Sequence, residues 1–170
     1  MKRLIPLLKF IDTLNVWVFN AVSYVIFPLI GILFSAVFFR YVLNDPIIWA
    51  HEMSIFLFGG LGILAGPYCL SKGIHIKMDL LYNRLSPRGK AIMDVLTAFL
   101  FFYFITMLLW QGCGFALHSF AARQHAASPW APALYPFKAV IPVATFMMLL
   151  QGLSKFIRDI YVAIHGRPLS

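Results

Sequence analysis

The sequence predicts an all-α membrane protein of four transmembrane helices, with both ends on the cytoplasmic side. Three observations carry this. Hydrophobic residues make up 61% of the 170 residues and charged residues only 12%, about half the share of an ordinary soluble domain, roughly 25%. The apolar residues come in four runs long enough to cross a bilayer, which takes about 20 residues. The basic residues gather at the ends of those runs, and mostly on one side. No stretch is polar enough for a separate soluble domain, so residues 1–170 form one membrane domain.

The first fifteen residues mix Lys2, Arg3 and Lys9 with leucine, isoleucine and phenylalanine, and Pro6 limits an early helix. They predict an interfacial lead-in. A cleaved signal peptide is disfavoured because the apolar run that follows is too long and lacks a small-x-small site. The first span covers about 16–39 and stops at Arg40, with Pro28 and Gly31 tolerated inside it. Asn44-Asp45-Pro46 signals a turn. The second span covers about 48–70, and a basic connection follows it to Lys90. The third covers about 91–117. A connection with Pro129, Trp130, Pro132 and Pro136 leads to the fourth, about 137–156.

The lysines and arginines set the orientation. Eleven belong to the N-terminus, the second connection and the tail, against three at Arg40, Arg123 and Lys138. The net charge of +8 therefore serves topology and headgroup anchoring, and nucleic acid is not an expected partner. Trp17, Trp49, Trp110 and Trp130 fall near span ends, as aromatic belts do. Cys69 and Cys113 are placed near opposite faces, too far apart for a disulfide.

Glu52 is the most informative side chain. It stands in the first turn of the second span, near the outer face, where an acid is costly unless it is wet, paired or functional. Three readings stay open: a solvated carboxylate favoured by the helix dipole, a partner to a basic group across an interface, or an ion or proton site. Glu52, Gly59 and Gly66 are seven apart and share a face, and Gly62-x-x-x-Gly66 has the spacing of close helix packing. His75 and Asp79 stand at i and i+4 in a segment where charges alternate with Ile74, Ile76, Met78 and Leu80, which predicts an amphipathic interfacial stretch. Two such residues are too few for a metal site. Asp94 reads as interfacial beside Lys90, and no pair of histidines faces across helices as a haem would need. Nothing in the chain carries a nucleophile arrangement or phosphate loop, so no enzymatic activity and no cofactor is expected.

Arg40-Tyr41-Val42-Leu43, Trp49-x-x-Glu52, Gly59, Gly62 and Gly73-x-His75-Ile76-x-Met78-Asp79-Leu80-Leu81 stand in an order that resembles the small membrane subunit of TRAP (tripartite ATP-independent periplasmic) transporters. Ile141-Pro142-Val143, Met147-Met148-Leu149 and Gln151 are similar to that family's last helix. The resemblance covers most of the chain. In one departure, Ser54, Ile55 and Phe56 stand where the family often has a basic residue after the acid.

The resemblance implies an inner-membrane, non-catalytic subunit that scaffolds a large multi-helix subunit, in which substrate movement and Na⁺ coupling reside. It also implies a periplasmic substrate-binding protein that captures an organic acid such as a dicarboxylate or sialic acid. The candidate subunit-interface residues are Arg40, Trp49, Glu52, Gly59, Gly62, Gly66, His75 and Asp79. Those for periplasmic docking are Arg123, His125 and Trp130. Two other readings compete: a stand-alone cation or drug transporter using Glu52, and an accessory subunit of another membrane complex.

Overall fold

The computed structural model describes residues 4–73 and 87–166. Its five helices are α1 (Leu4–Ser23), α2 (Ile26–Tyr41), α3 (Ala50–Ser71), α4 (Pro87–Ala121) and α5 (Tyr135–His165). Four stretches are long and apolar enough to cross a membrane: Ile5–Tyr41, Ala50–Ser71, Gly89–Ala121 and Tyr135–His165. At 1.5 Å per residue, α4 is ~52 Å and α5 ~46 Å long, and both outreach a hydrocarbon core of about 30 Å.

The first span differs from its sequence reading in two ways. It starts at Leu4, because Pro6 falls in the first turn, where a missing N–H breaks no intrahelical bond. Leu8, Ile11 and Asn15 recur at helical spacing and are buried, so this segment packs into the protein. The span is also divided at Tyr24 and Val25. Pro28 has no N–H to give the Tyr24 carbonyl, and its ring crowds that carbonyl. The Phe27 N–H donates to Tyr24 instead, at 3.2 Å, and the chain restarts as α2.

The helices stand in an open row. α4 packs along α5, α5 against α3, and α3 against both α1 and α2, with α1 also reaching α5. Close backbone approach joins α4 to α5. An added Cβ at Gly112 would lie 3.2 Å from Ile141 Cγ2, and one at Gly152 would lie 2.3 Å from Phe101 Cε1. Phe102 meets Phe156 edge-on at 5.4 Å. Phe19 stacks on Tyr68 at 4.0 Å to join α1 to α3, and Phe56 stacks on Phe137 at 4.1 Å to join α3 to α5.

An open row leaves wide apolar flanks. Phe34 on α2 and Leu96, Phe99 and Trp110 on α4 are each at least 70% exposed. In water such flanks would drive aggregation; in a bilayer they meet lipid or another membrane helix.

Leu4, Gly166 and the ends of α3 and α4 at Ser71 and Pro87 lie at one end of the row, here the near end. The connections 42–49 and 122–134 lie at the other, the far end. This alternation fits the charge pattern in the sequence.

Candidate functional site

The far end gathers most of the predicted residues that are described. The α2–α3 connection turns at Asn44, whose φ of 52° is left-handed, and Asp45 N–H donates to the Phe39 carbonyl at 3.1 Å. Asparagine tolerates this conformation better than other non-glycine residues, as the Asn-Asp-Pro signal predicts. α3 then starts at Ala50, with Trp49 as its N-cap and no side-chain cap.

The connection 122–134 folds back on itself. Ala126 N–H donates to Pro132 and Leu134 N–H to Gln124, both at 2.9 Å, and His125 bridges to Ala133. Arg123 and Ala131 take left-handed φ values of 45° and 46° at its two bends. Lys138 fastens it to the helices: its Nζ donates to Gln124 Oε1 at 2.7 Å and lies 4.0 Å from the centre of the Phe115 ring. That contact gives Lys138 a structural role beyond its place in the charge count.

Trp49 and Trp130 meet here, their ring centres 6.4 Å apart. One was predicted for the subunit interface and the other for docking, and the fold makes them neighbours. His125 Nδ1 donates to the Arg123 carbonyl at 2.8 Å, so the imidazole braces the loop. The Arg123 side chain is exposed.

Glu52 is partly buried beside this loop end. Its Oε2 is covered and has no hydrogen-bond partner in the structure. An acceptor buried without a donor costs about 1–3 kcal/mol, so this oxygen carries a demand that the described residues do not meet.

The glycines of α3 part company. Gly66 meets Met148 Sδ of α5 at 3.5 Å from an added Cβ, and so serves packing within the chain. Gly59, Gly60 and Gly62 have nothing within 4 Å. With His51, Ile55 and Phe58, Gly62 forms an exposed stripe at i, i+4, i+7 and i+11. The shared face of Glu52, Gly59 and Gly66 turns toward α5: Phe56 of that face stacks on Phe137, and Gly59 and Gly60 line a cavity with Phe137 and Ile141, so the exposed stripe is a separate side of the helix. His75 and Asp79 lie outside the described residues, as does the amphipathic segment around them.

The near end holds a polar assembly that the sequence reading did not find. Asn15 Nδ2 donates to Gln151 Oε1 at 2.6 Å, and Gln151 Nε2 donates to Asp12 Oδ1 at 2.8 Å. Arg158 closes on Asp12 Oδ2 at 2.5 Å. Gln151 is 1% exposed, so the chain of bonds runs from the interior of the row to its rim. Beside it Lys155 bridges Asp94 of α4 and Asp159 of its own helix, each at 2.5 Å. The only trace in the sequence is a polar stripe on α5 at Gln151, Lys155, Arg158 and Asp159, facing Asp12 and Asn15 at i and i+3.

Cys69 and Cys113 are free thiols. Among the described residues no group of three or more His, Cys, Asp or Glu could hold a metal ion.

A family model for the DctQ component of tripartite ATP-independent periplasmic transporters matches residues 29–161. The chain belongs to the DctQ family. It is therefore an inner-membrane transporter component and not an enzyme. The DctQ match begins inside α2, so α1 and its bonds to Gln151 and Arg158 lie before it. The chain is also similar to the sialic acid TRAP transporter permease protein SiaT of Haemophilus influenzae (strain 86-028NP), with 27% identity over 105 residues. That match takes in 62% of this DctQ chain and 17% of the relative's length.

Proposed function

We propose that this DctQ chain is a non-transporting scaffold. It would hold a large multi-helix membrane subunit and help dock a periplasmic substrate-binding protein, with both of its own termini in the cytoplasm. Substrate movement and Na⁺ coupling belong to the large subunit. The cargo class is an organic acid, in keeping with a relative whose name specifies sialic acid. The far end faces the periplasm in this reading, as the basic count argues.

The observation that carries the proposal is the buried Glu52 oxygen that has no donor among the described residues, in the turn of α3 where the exposed stripe begins. A partner helix lying along Ile55, Phe58 and Gly62 would cover that stripe and bring a donor to Glu52. The departure noted at Ser54, Ile55 and Phe56 supports this, since no basic residue of the same turn competes. Exposed Arg123, in the same connection as Trp130, offers an acidic partner a cation at the outer surface. A stand-alone transporter fits less well. Glu52 sits at a helix end, and at the near end Asp12, Asn15, Gln151, Asp94 and Lys155 are engaged with one another or with neighbouring charges.

The test is co-expression with the large membrane subunit encoded alongside, followed by capture through a tag on this chain. Removing one partner of a buried charged contact costs about 2–5 kcal/mol, so Glu52→Lys lowers recovery of the large subunit at least tenfold. Glu52→Gln, which keeps one acceptor, lowers it less. Unchanged recovery with Glu52→Lys contradicts the assignment of this face.

A further inference from the structure

A cavity at the far end touches that reading only at Arg40, a candidate interface residue, and at His51, the first residue of the exposed stripe. It opens between the last turns of α2 and the first turns of α3, with a volume of about 230 Å³. Leu33, Ala36 and Val37 form its apolar wall along α2, and Ile47 and Ala50 close it from the other side. Arg40 and His51 stand at its rim. Both are exposed, and neither has a hydrogen bond or ion pair among the described residues. Asp45 and Glu52, the acids nearest in sequence, do not line it.

We propose that this groove binds an anionic phospholipid, with the phosphate on Arg40 and His51 and an acyl chain against Leu33, Ala36 and Val37. The geometry matches an amphiphile at each level. From Arg40 back to Leu33 is seven residues of helix, ~10 Å of descent into the bilayer, the reach of an upper acyl chain. The cation stands where the helix leaves the apolar run, the depth of lipid headgroups. A guanidinium presents a planar fork of donors to phosphate oxygens, and the imidazole adds an N–H. The α3 N-terminus opens beside the cavity and adds favourable dipole, partly offset by Glu52 in the same turn. A carboxylate of a partner protein would satisfy the cations but would leave the apolar floor bare, and lipid answers both. The proposal requires only that the chain lies in a membrane and does not depend on the scaffold reading.

The experiment is native mass spectrometry of the purified full chain, offered equal amounts of phosphatidylglycerol and phosphatidylcholine with identical acyl chains. Wild type is expected to retain phosphatidylglycerol about fivefold over phosphatidylcholine, the effect of one basic side chain on an anionic lipid. Arg40→Gln brings the ratio to about one, and Arg40→Lys keeps part of it. Ala36→Phe, which fills the groove and leaves the charge, also abolishes the preference. Circular dichroism confirms that each variant retains its helices. Glycerol phosphate, a headgroup without chains, does not displace the bound lipid. A wild-type ratio near one overturns the proposal, and so does an Arg40→Gln ratio equal to wild type, even if that variant loses a partner protein. Displacement by glycerol phosphate overturns the lipid assignment in favour of a free phosphate.

Discussion

Substituting Gly152 will strain the contact between the two longest helices of the row. A Cβ at this position would sit 2.3 Å from Phe101 Cε1 and 2.9 Å from Cζ, so the ring must turn or α4 must move away from α5. Overpacking of a tight contact costs about 1–3 kcal/mol, and Gly152→Ala is expected in that range. Gly152→Leu exceeds what rotation of the ring relieves and should leave little folded protein. Thermal unfolding in detergent micelles reads both. Phe101→Leu supplies the internal control, because it removes the ring tip that the new methyl meets. The double variant Gly152→Ala with Phe101→Leu should be more stable than the sum of the single effects predicts, a coupling characteristic of residues in contact. Equal unfolding temperatures for wild type and Gly152→Ala would show that the helices do not approach this closely.

The second large effect is expected at Gln151. Its amide accepts from Asn15 and donates to Asp12, and it is 1% exposed. Gln151→Ala leaves a buried amide and a carboxylate oxygen without that partner and opens a void. Interhelical hydrogen bonds in membrane proteins average about 0.6 kcal/mol, whereas a buried group left unsatisfied costs about 1–3 kcal/mol. Together with lost packing, a destabilisation of ~2–3 kcal/mol follows. The damage should be local to α1, because Asp12 keeps Arg158 and the α4–α5 contact is untouched. Trypsin cleavage after Lys9 should accelerate before the rest of the chain is attacked. Replacing Asn15 and Gln151 together with leucine removes the mutual demand, and should cost less than Gln151→Ala alone.

These two sites show what sequence conveys for a protein of this kind. The crossings were legible because a bilayer imposes length and hydrophobicity on each span separately: α4 and α5 contain the predicted runs, and α3 begins two residues inside its own. Pro28 was visible too, but whether a proline kinks or divides a helix depends on its surroundings, and here the chain restarts at Ile26. The first fifteen residues misled because Lys9 and Asp12 resemble an interfacial segment until a partner is known. The partners of Asp12 and Asn15 stand on α5, far away in sequence and brought near only by helix packing. Asp94 likewise has a partner on the neighbouring helix, Lys155, that its place four residues after Lys90 does not disclose.

The glycines carry the same lesson with opposite signs. Gly62 and Gly66 have a packing motif's spacing, yet only Gly66 meets another helix within the chain. Gly152 belongs to no motif and makes the closest approach of all. Among the candidate site residues, the sequence placed Trp49, Glu52 and Trp130 near one surface, and the fold brings the two tryptophans together. It did not reveal that Glu52 Oε2 has no donor among the described residues, since that depends on which side chains surround it. The α2–α3 groove was equally hidden, because Arg40 and His51 become neighbours of one cavity only when the turn at Asn44 folds α3 back beside α2.

The central claim is that this DctQ chain supports transport without performing it. Proteoliposomes test it most directly. One set holds this chain alone, a second the large subunit alone, and a third both, each with the substrate-loaded binding protein outside and an inward Na⁺ gradient. Uptake is expected only in the third set, and Glu52→Lys in this chain should abolish it there. Substrate accumulation in vesicles that hold this chain and no other membrane subunit would contradict the account.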